Sequence, residues 1–322
     1  MKLIPLIRNS LLSLCVLSHL GCSANALTGA ASNKPQARAN TVATAESPPV
    51  AHNIASTASP EVAASMPEFL SALRNQPAVI GGIASVALNS RSATPPHVLY
   101  EQRRVLVLRE GQQWWAFVGI ALSAKAGTHR LVDQDTGETY NFSVQAKTYP
   151  AQHITVKNQR HVNPNAEDLQ RIQQETQQIQ AALATPWRAT EISPLPLDKP
   201  VAGGFSSPFG LQRFFNGQPR KPHSGLDISA PQGAEIHAPT EGIVVNTGDY
   251  FFNGNTVFLD HGQSVVTMFC HLDQILVKEG QRVRKGQVIG LVGKTGRATG
   301  PHLHWSVSLN KSLIDPKLVL QE

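Results

Sequence analysis

Cysteine is nearly missing from this 322-residue chain, which has three, at positions 15, 22 and 270. The first two fall in the N-terminal apolar segment and Cys270 is left alone. An intramolecular disulfide framework is therefore excluded as the source of stability. Aromatic residues make up only 6% of the chain and charged residues 16%, and the net charge is +6. That charge suits work near anionic polymers, but no basic run interleaved with aromatics occurs, which argues against a nucleic-acid partner. The apolar run Leu11–Leu20 is shorter than the roughly 20 residues needed to span a bilayer.

That run has another reading. Lys2 and Arg8 precede it, and Ala24-Asn25-Ala26 follows with the small-x-small pattern of a signal-peptidase site. Residues 1–26 are expected to be a signal peptide cut after Ala26, with export to the periplasm, the cell envelope or the medium. Leu20-Gly21-Cys22 offers a competing lipoprotein site; membrane attachment is expected only if Cys22 is lipidated. Residues 27–66, rich in Ala, Ser, Thr, Pro and Asn, read as a disordered spacer, because they hold too little apolar surface to offset their ordering entropy.

Beyond the spacer the pattern predicts an all-β protein of two domains joined by one amphipathic helix. Residues 67–160 carry short strand-like runs: Arg104–Leu108, Trp114–Val118, His129–Val132, Thr139–Val144 and Gln152–Val156. Their spacing, with Asp135-Thr-Gly137 as a hairpin signal, predicts a small antiparallel sandwich. Trp114 and Trp115 are read as core or sheet surface rather than a ligand platform. Within 161–200, Asn165 is placed to cap a helix to about Leu183, with Asp168 completing a capping box and Leu169, Ile172, Ile179 and Leu183 on one face. Residues 201–322 alternate β-formers with Gly-centred turns and predict an antiparallel β-sandwich or open barrel. This second domain is expected to fold on its own from about residue 190, with the N-terminal sandwich regulating or positioning it.

Chemistry concentrates in that last domain. His223-Ser-Gly-Leu-Asp227 offers an imidazole and a carboxylate on a loop entering a strand, and Phe269-Cys-His271-Leu a third polar group. In His302-Leu-His304 the strand period of two puts both imidazoles on one face and Leu303 on the other. A hydrolytic zinc site takes three protein ligands and leaves a position for water. Two His and one Asp meet that count and leave two His over for proton transfer.

With Asp227-Ile-Ser-Ala-Pro231, Gly254-Asn255, Asp260-His-Gly262 and Gly290–Pro301 added, the domain resembles the lysostaphin or LytM type of zinc peptidoglycan endopeptidase from about Gly203 to Pro316. The region from about 75 to 185 resembles the sandwich-plus-helix domain of some envelope members. The resemblance implies one zinc ion held by His223, Asp227 and His304, with His271 and His302 as the non-ligand catalytic pair. It also implies a peptidoglycan peptide as substrate; the protein is expected to be monomeric. Phe269, Trp305 and Ser306 stand where that family often has Tyr, Phe and Glu. Phe269 is expected to share a strand face with His271 and line the cleft, while Cys270 points away into the core.

Of the remaining histidines, His237 and His261 read as satisfied structural residues, and His97, His129, His153 and His161 have no partners at metal spacing. Two rivals remain. A catalytically inactive relative that activates amidases would lack zinc ligands, which are complete here. A biotinyl or lipoyl carrier would need a modifiable hairpin-tip Lys beside Met or Asp, and none occurs.

Overall fold

The computed structural model describes residues 60–321. The expected signal peptide, Cys15, Cys22 and most of the expected spacer lie outside the described residues. The first helix, α1 (Pro60–Arg74), begins inside the stretch expected to be spacer. Its last turns explain this: Leu70 and Leu73 are buried, so this part of the chain has the apolar surface that residues 27–59 lack.

Seven strands follow: β1 (Ile83–Leu88), β2 (Val98–Tyr100), β3 (Arg103–Arg104), β4 (Leu106–Glu110), β5 (Gln113–Gly119), β6 (Gly127–Asp133) and β7 (Thr139–Val144). They form a three-stranded sheet, β1-β5-β4, and a four-stranded sheet, β3-β2-β6-β7. Val107, Trp114, Ala116 and Val118 from the first meet Val98, Leu131 and Tyr140 from the second in one core. Trp114 is core, as expected, and its indole N–H donates to the Ser92 carbonyl.

Pleating turns Leu106, Leu108 and Phe117 to the other side of the three-stranded sheet. There they join Leu70, Leu73 and Ile83 in a core that also holds Leu303, Trp305, Val307 and Leu309 of the C-terminal region. Both faces of β4 are thus buried, which is why Val105–Leu108 is apolar at every position. The Asn310 side chain adds a clasp, accepting from the Gly119 N–H at 2.8 Å and donating to its carbonyl at 3.1 Å. The two regions thus share a core, which argues against the expectation of an independently folding C-terminal domain.

β8 (Ala151–Ile154) departs from the expected sandwich. It pairs in parallel with β10 (Gln212–Phe215), not with the N-terminal sheets. Asn216 fixes the next residues by bonding both the N–H and the carbonyl of Val156. The helix α2 (Ala166–Ala182) carries the expected Asn165–Asp168 capping box. Ile179, Ala182 and Leu183 pack on Tyr250, Phe258, Met268 and Cys270. Leu169, however, is 55% exposed; only the C-terminal half of the apolar stripe finds a surface.

The C-terminal strands are β9 (Phe205–Ser207), β10, β11 (Gln218–Pro219), β12 (Leu226–Ile228), β13 (Glu235–His237), β14 (Gly242–Tyr250), β15 (Gly254–Gly262), β16 (Val265–Ile275), β17 (Arg282–Val283), β18 (Val288–Val292), β19 (Leu303–Leu309) and β20 (Ser312–Ile314). Ten of them build one sheet whose main path is β17-β14-β15-β16-β19-β12-β9. Long strands β15, β16 and β19 sit at its centre, with Val257, Leu259, Phe269 and Trp305 on the face turned to the shared core. No helix among the described residues is long and apolar enough to cross a membrane.

Candidate metal centre

The opposite face of the same sheet carries the polar cluster. Asp227 on β12 is directly across from His304 on β19, and paired residues of antiparallel strands point to one face. Leu303 points to the other face and is fully buried, so the alternation expected for His302-Leu-His304 holds. Gly225 lets β12 come this close: a Cβ there would lie 2.7 Å from the His304 ring and 2.6 Å from the Trp305 carbonyl.

Three atoms converge. His223 Nε2 is 2.9 Å from Asp227 Oδ1 and 3.0 Å from His304 Nδ1, which is itself 2.8 Å from Asp227 Oδ1. The other side of each ring is taken. His223 Nδ1 meets the Pro208 carbonyl at 2.8 Å, and His304 Nε2 meets the Ser306 hydroxyl at 3.0 Å. A carbonyl only accepts, so His223 carries its proton on Nδ1 and turns a bare Nε2 inward. With Ser306 accepting from His304 Nε2, Nδ1 is bare as well.

Burial lowers His304 to about 4, so its imidazole is neutral near pH 7. The Arg213 guanidinium donates to the second Asp227 oxygen, Oδ2, at 3.1 Å, leaving Oδ1 for the centre. Two bare imidazole nitrogens and a carboxylate oxygen facing one point repel unless a cation sits among them. Ligands in this protonation state, in N2O composition, fit zinc.

His271 and His302 stand beside this group, their ring centroids 4.8 Å apart. His271 Nδ1 donates to the Thr295 carbonyl and His302 Nδ1 to the Gly300 carbonyl, both at 2.9 Å. By the same logic each presents a bare Nε2. The nearest approach of His302 Nε2 to Asp227 Oδ1 is 4.0 Å. Burial, aided by the charges of His304 and His302, takes His271 down to about 3.

His271 reaches this face by a break in regular pairing. Along β15 the step from Asn255 to Val257 is matched on β16 by Leu272 to Phe269, one residue more, and His271 has φ +65°. This β-bulge overturns two expectations. Phe269 is fully buried in the shared core and does not line the cleft. Cys270 pairs with His304 and so belongs to the site's face, buried beneath it rather than on the far side. Burial pushes its thiol up, so it is no nucleophile.

The centre opens into a cleft of about 680 Å³ that His271, His302 and Asp227 line together with Arg213, Arg297 and Lys157. Gln152 and Ile154–Asn158, just outside the N-terminal sandwich, contribute one part of the lining. His161, read as having no partners at metal spacing, lines it too and is not part of the metal cluster. His237 and His261 stay outside. His261 is buried, bonded to the Glu241 carbonyl and the Thr267 hydroxyl. Arg213 and Arg297 escaped sequence reasoning, and Ser306 was noted only as a departure from the family, without its bond to His304. For Ser306 a signal existed, since it follows His304 by one strand period.

Comparison with known proteins gives the family. The model of peptidase family M23 matches residues 221–316, and that of the peptidase family M23 N-terminal domain matches 75–147. The crystal structure of a putative peptidase M23 from Pseudomonas aeruginosa is 44% identical, with 78% of this chain and 97% of that chain covered at a TM-score of 0.65. The chain belongs to peptidase family M23. Among curated M23-region relatives, the peptidoglycan DD-endopeptidase ShyA of Vibrio cholerae serotype O1 is 46% identical over 86 residues, 27% of this chain and 20% of that protein. The DD-carboxypeptidase/endopeptidase Mpg of Neisseria meningitidis serogroup B is 40% identical over 111 residues, 34% of this chain and 26% of that protein. The match thus spans only a fifth to about a quarter of these curated relatives.

Proposed function

We propose that this M23 protein is an exported zinc endopeptidase that hydrolyses peptide cross-links or stem peptides of bacterial peptidoglycan. The observation that carries the reading is the convergence of His223 Nε2, Asp227 Oδ1 and His304 Nδ1 beside two imidazoles with bare Nε2 atoms. His223, Asp227 and His304 would hold the ion. In such a site zinc acidifies water from a pKa of 15.7 to about 7 and polarises a carbonyl.

The chain supplies the rest. Arg213 fixes Asp227 through Oδ2 so that Oδ1 stays turned inward, and Ser306 fixes the His304 ring. Either His271 or His302 takes a proton at Nε2 from the attacking water. The other Nε2, once protonated, donates to the developing oxyanion or to the departing amine. The carbonyls of Thr295 and Gly300 hold both rings in the tautomer these steps need. The leader-like residues 1–26 and the DD-endopeptidase names of the relatives favour a substrate in the cell envelope.

The test is digestion of purified cross-linked sacculi by the zinc-loaded protein isolated from the envelope fraction, with mass analysis of the released muropeptides. Cross-linked dimers should fall to monomers with the gain of one water at a peptide bond. Intact peptides with cut glycan strands, or sacculi left untouched, would refute the reading.

A further inference from the structure

Arg297 is the one strongly perturbed group in the cleft that the chemistry above does not use. It follows the Thr295-Gly296 turn whose carbonyl holds His271, and it lines the cleft alongside His271 and His302. Its guanidinium lies 4.5 Å from the ring centroid of Phe215 and 4.2 Å from that of Phe252. Aromatic rings close to the guanidinium on two elements fix where it sits. They leave its five N–H donors poorly used: a single contact runs from Nη1 to the His161 carbonyl, at a long 3.4 Å.

Charge is unbalanced around it. No carboxylate among the described residues pairs with Arg297. Among the described residues, Asp227 is the sole acid lining the cleft and is already bonded to Arg213. Lys157 adds another cation to the lining. Burial, together with the charges of Arg213 and Arg220, brings Arg297 down to about 10. A guanidinium taken out of water without an anionic partner is costly, and one carboxylate would satisfy its fork bidentately.

We propose that Arg297, assisted by Lys157, is a subsite for a side-chain carboxylate of the peptide substrate, so that the enzyme selects acidic peptides over their amidated counterparts. This rests on the peptide-substrate reading above and adds to it the class of peptide. A carboxylate placed there would be gripped beside His271 and His302. Arg213 is a different case, since its guanidinium is committed to Asp227.

Binding tests the proposal without requiring turnover. N-acetyl-Glu-D-Ala-D-Ala and N-acetyl-Gln-D-Ala-D-Ala are titrated into the full zinc-loaded chain, wild type and Arg297→Gln and Arg297→Lys. The wild type should bind the Glu peptide about tenfold more tightly, the worth of one charge-assisted contact. Arg297→Gln should abolish that preference and leave the Gln peptide's affinity unchanged, while Arg297→Lys keeps part of it. A wild type that does not distinguish the two peptides overturns the proposal. So does an Arg297→Gln protein that loses affinity for both equally, which would mark Arg297 as a packing residue between Phe215 and Phe252. Discrimination by a protein that leaves sacculi uncut would sink the endopeptidase reading and keep the subsite.

Discussion

Replacing His271 or His302 with Ala should lower turnover on muropeptides roughly 10²–10⁴-fold, the usual worth of a positioned acid or base, while zinc stays stoichiometric. Neither ring belongs to the three-atom convergence of His223, Asp227 and His304, so neither is needed to hold the ion. His223→Ala, Asp227→Ala and His304→Ala should instead lower zinc occupancy and activity together, because each removes part of the metal's binding free energy. Metal analysis beside kinetics on the five variants separates the two classes. A His302→Ala protein stripped of zinc, beside a His304→Ala protein that keeps it, would reverse the assignment of the pair on β19.

Removing residues 1–189 should unfold or grossly destabilise what remains. The fragment 190–322 loses Leu70, Leu73, Ile83, Leu106, Leu108 and Phe117, six large side chains of the shared core. Core truncations cost about 2–5 kcal/mol each, against a total stability of about 5–15 kcal/mol for a typical domain. The same cut takes β8 from the edge of β10, and Gln152 and Ile154–Asn158 from the cleft. Circular dichroism and a thermal melt of the fragment check this. A cooperative melt near that of the full chain would show that the shared core contributes little, and the N-terminal region would then act only on the cleft.

What could be read in advance follows the distance over which each signal acts. His223 to Asp227 and His302 to His304 are local patterns, fixed by a tight loop entry and by the strand period; the structure brings His223, Asp227 and His304 together and sets His302 beside them. The Asn165–Asp168 capping box is equally local. His271 was legible as a polar residue in the right domain, but its route to the site was not. A left-handed, non-glycine residue in a bulge breaks the alternation on which Phe269 and Cys270 were placed.

Long-range partners were the main loss. Val105–Leu108 is apolar on both faces, a sign that both sides are covered, yet nothing local says that the second cover is Trp305 and its neighbours. The pairing of β8 with β10 and the bond from Arg213 to Asp227 depend on chain crossings of 14 to about 60 residues. The helix α1 was hidden by an Ala- and Pro-rich start at Pro60.

The most direct test of the central claim is a crystal of the zinc-loaded protein, with anomalous difference maps recorded on either side of the zinc edge. One peak is expected, touching His223 Nε2, Asp227 Oδ1 and His304 Nδ1 and not the Nε2 atoms of His271 or His302. A peak held by His271 and His302, or no peak at this convergence in protein that contains stoichiometric zinc, would contradict the account.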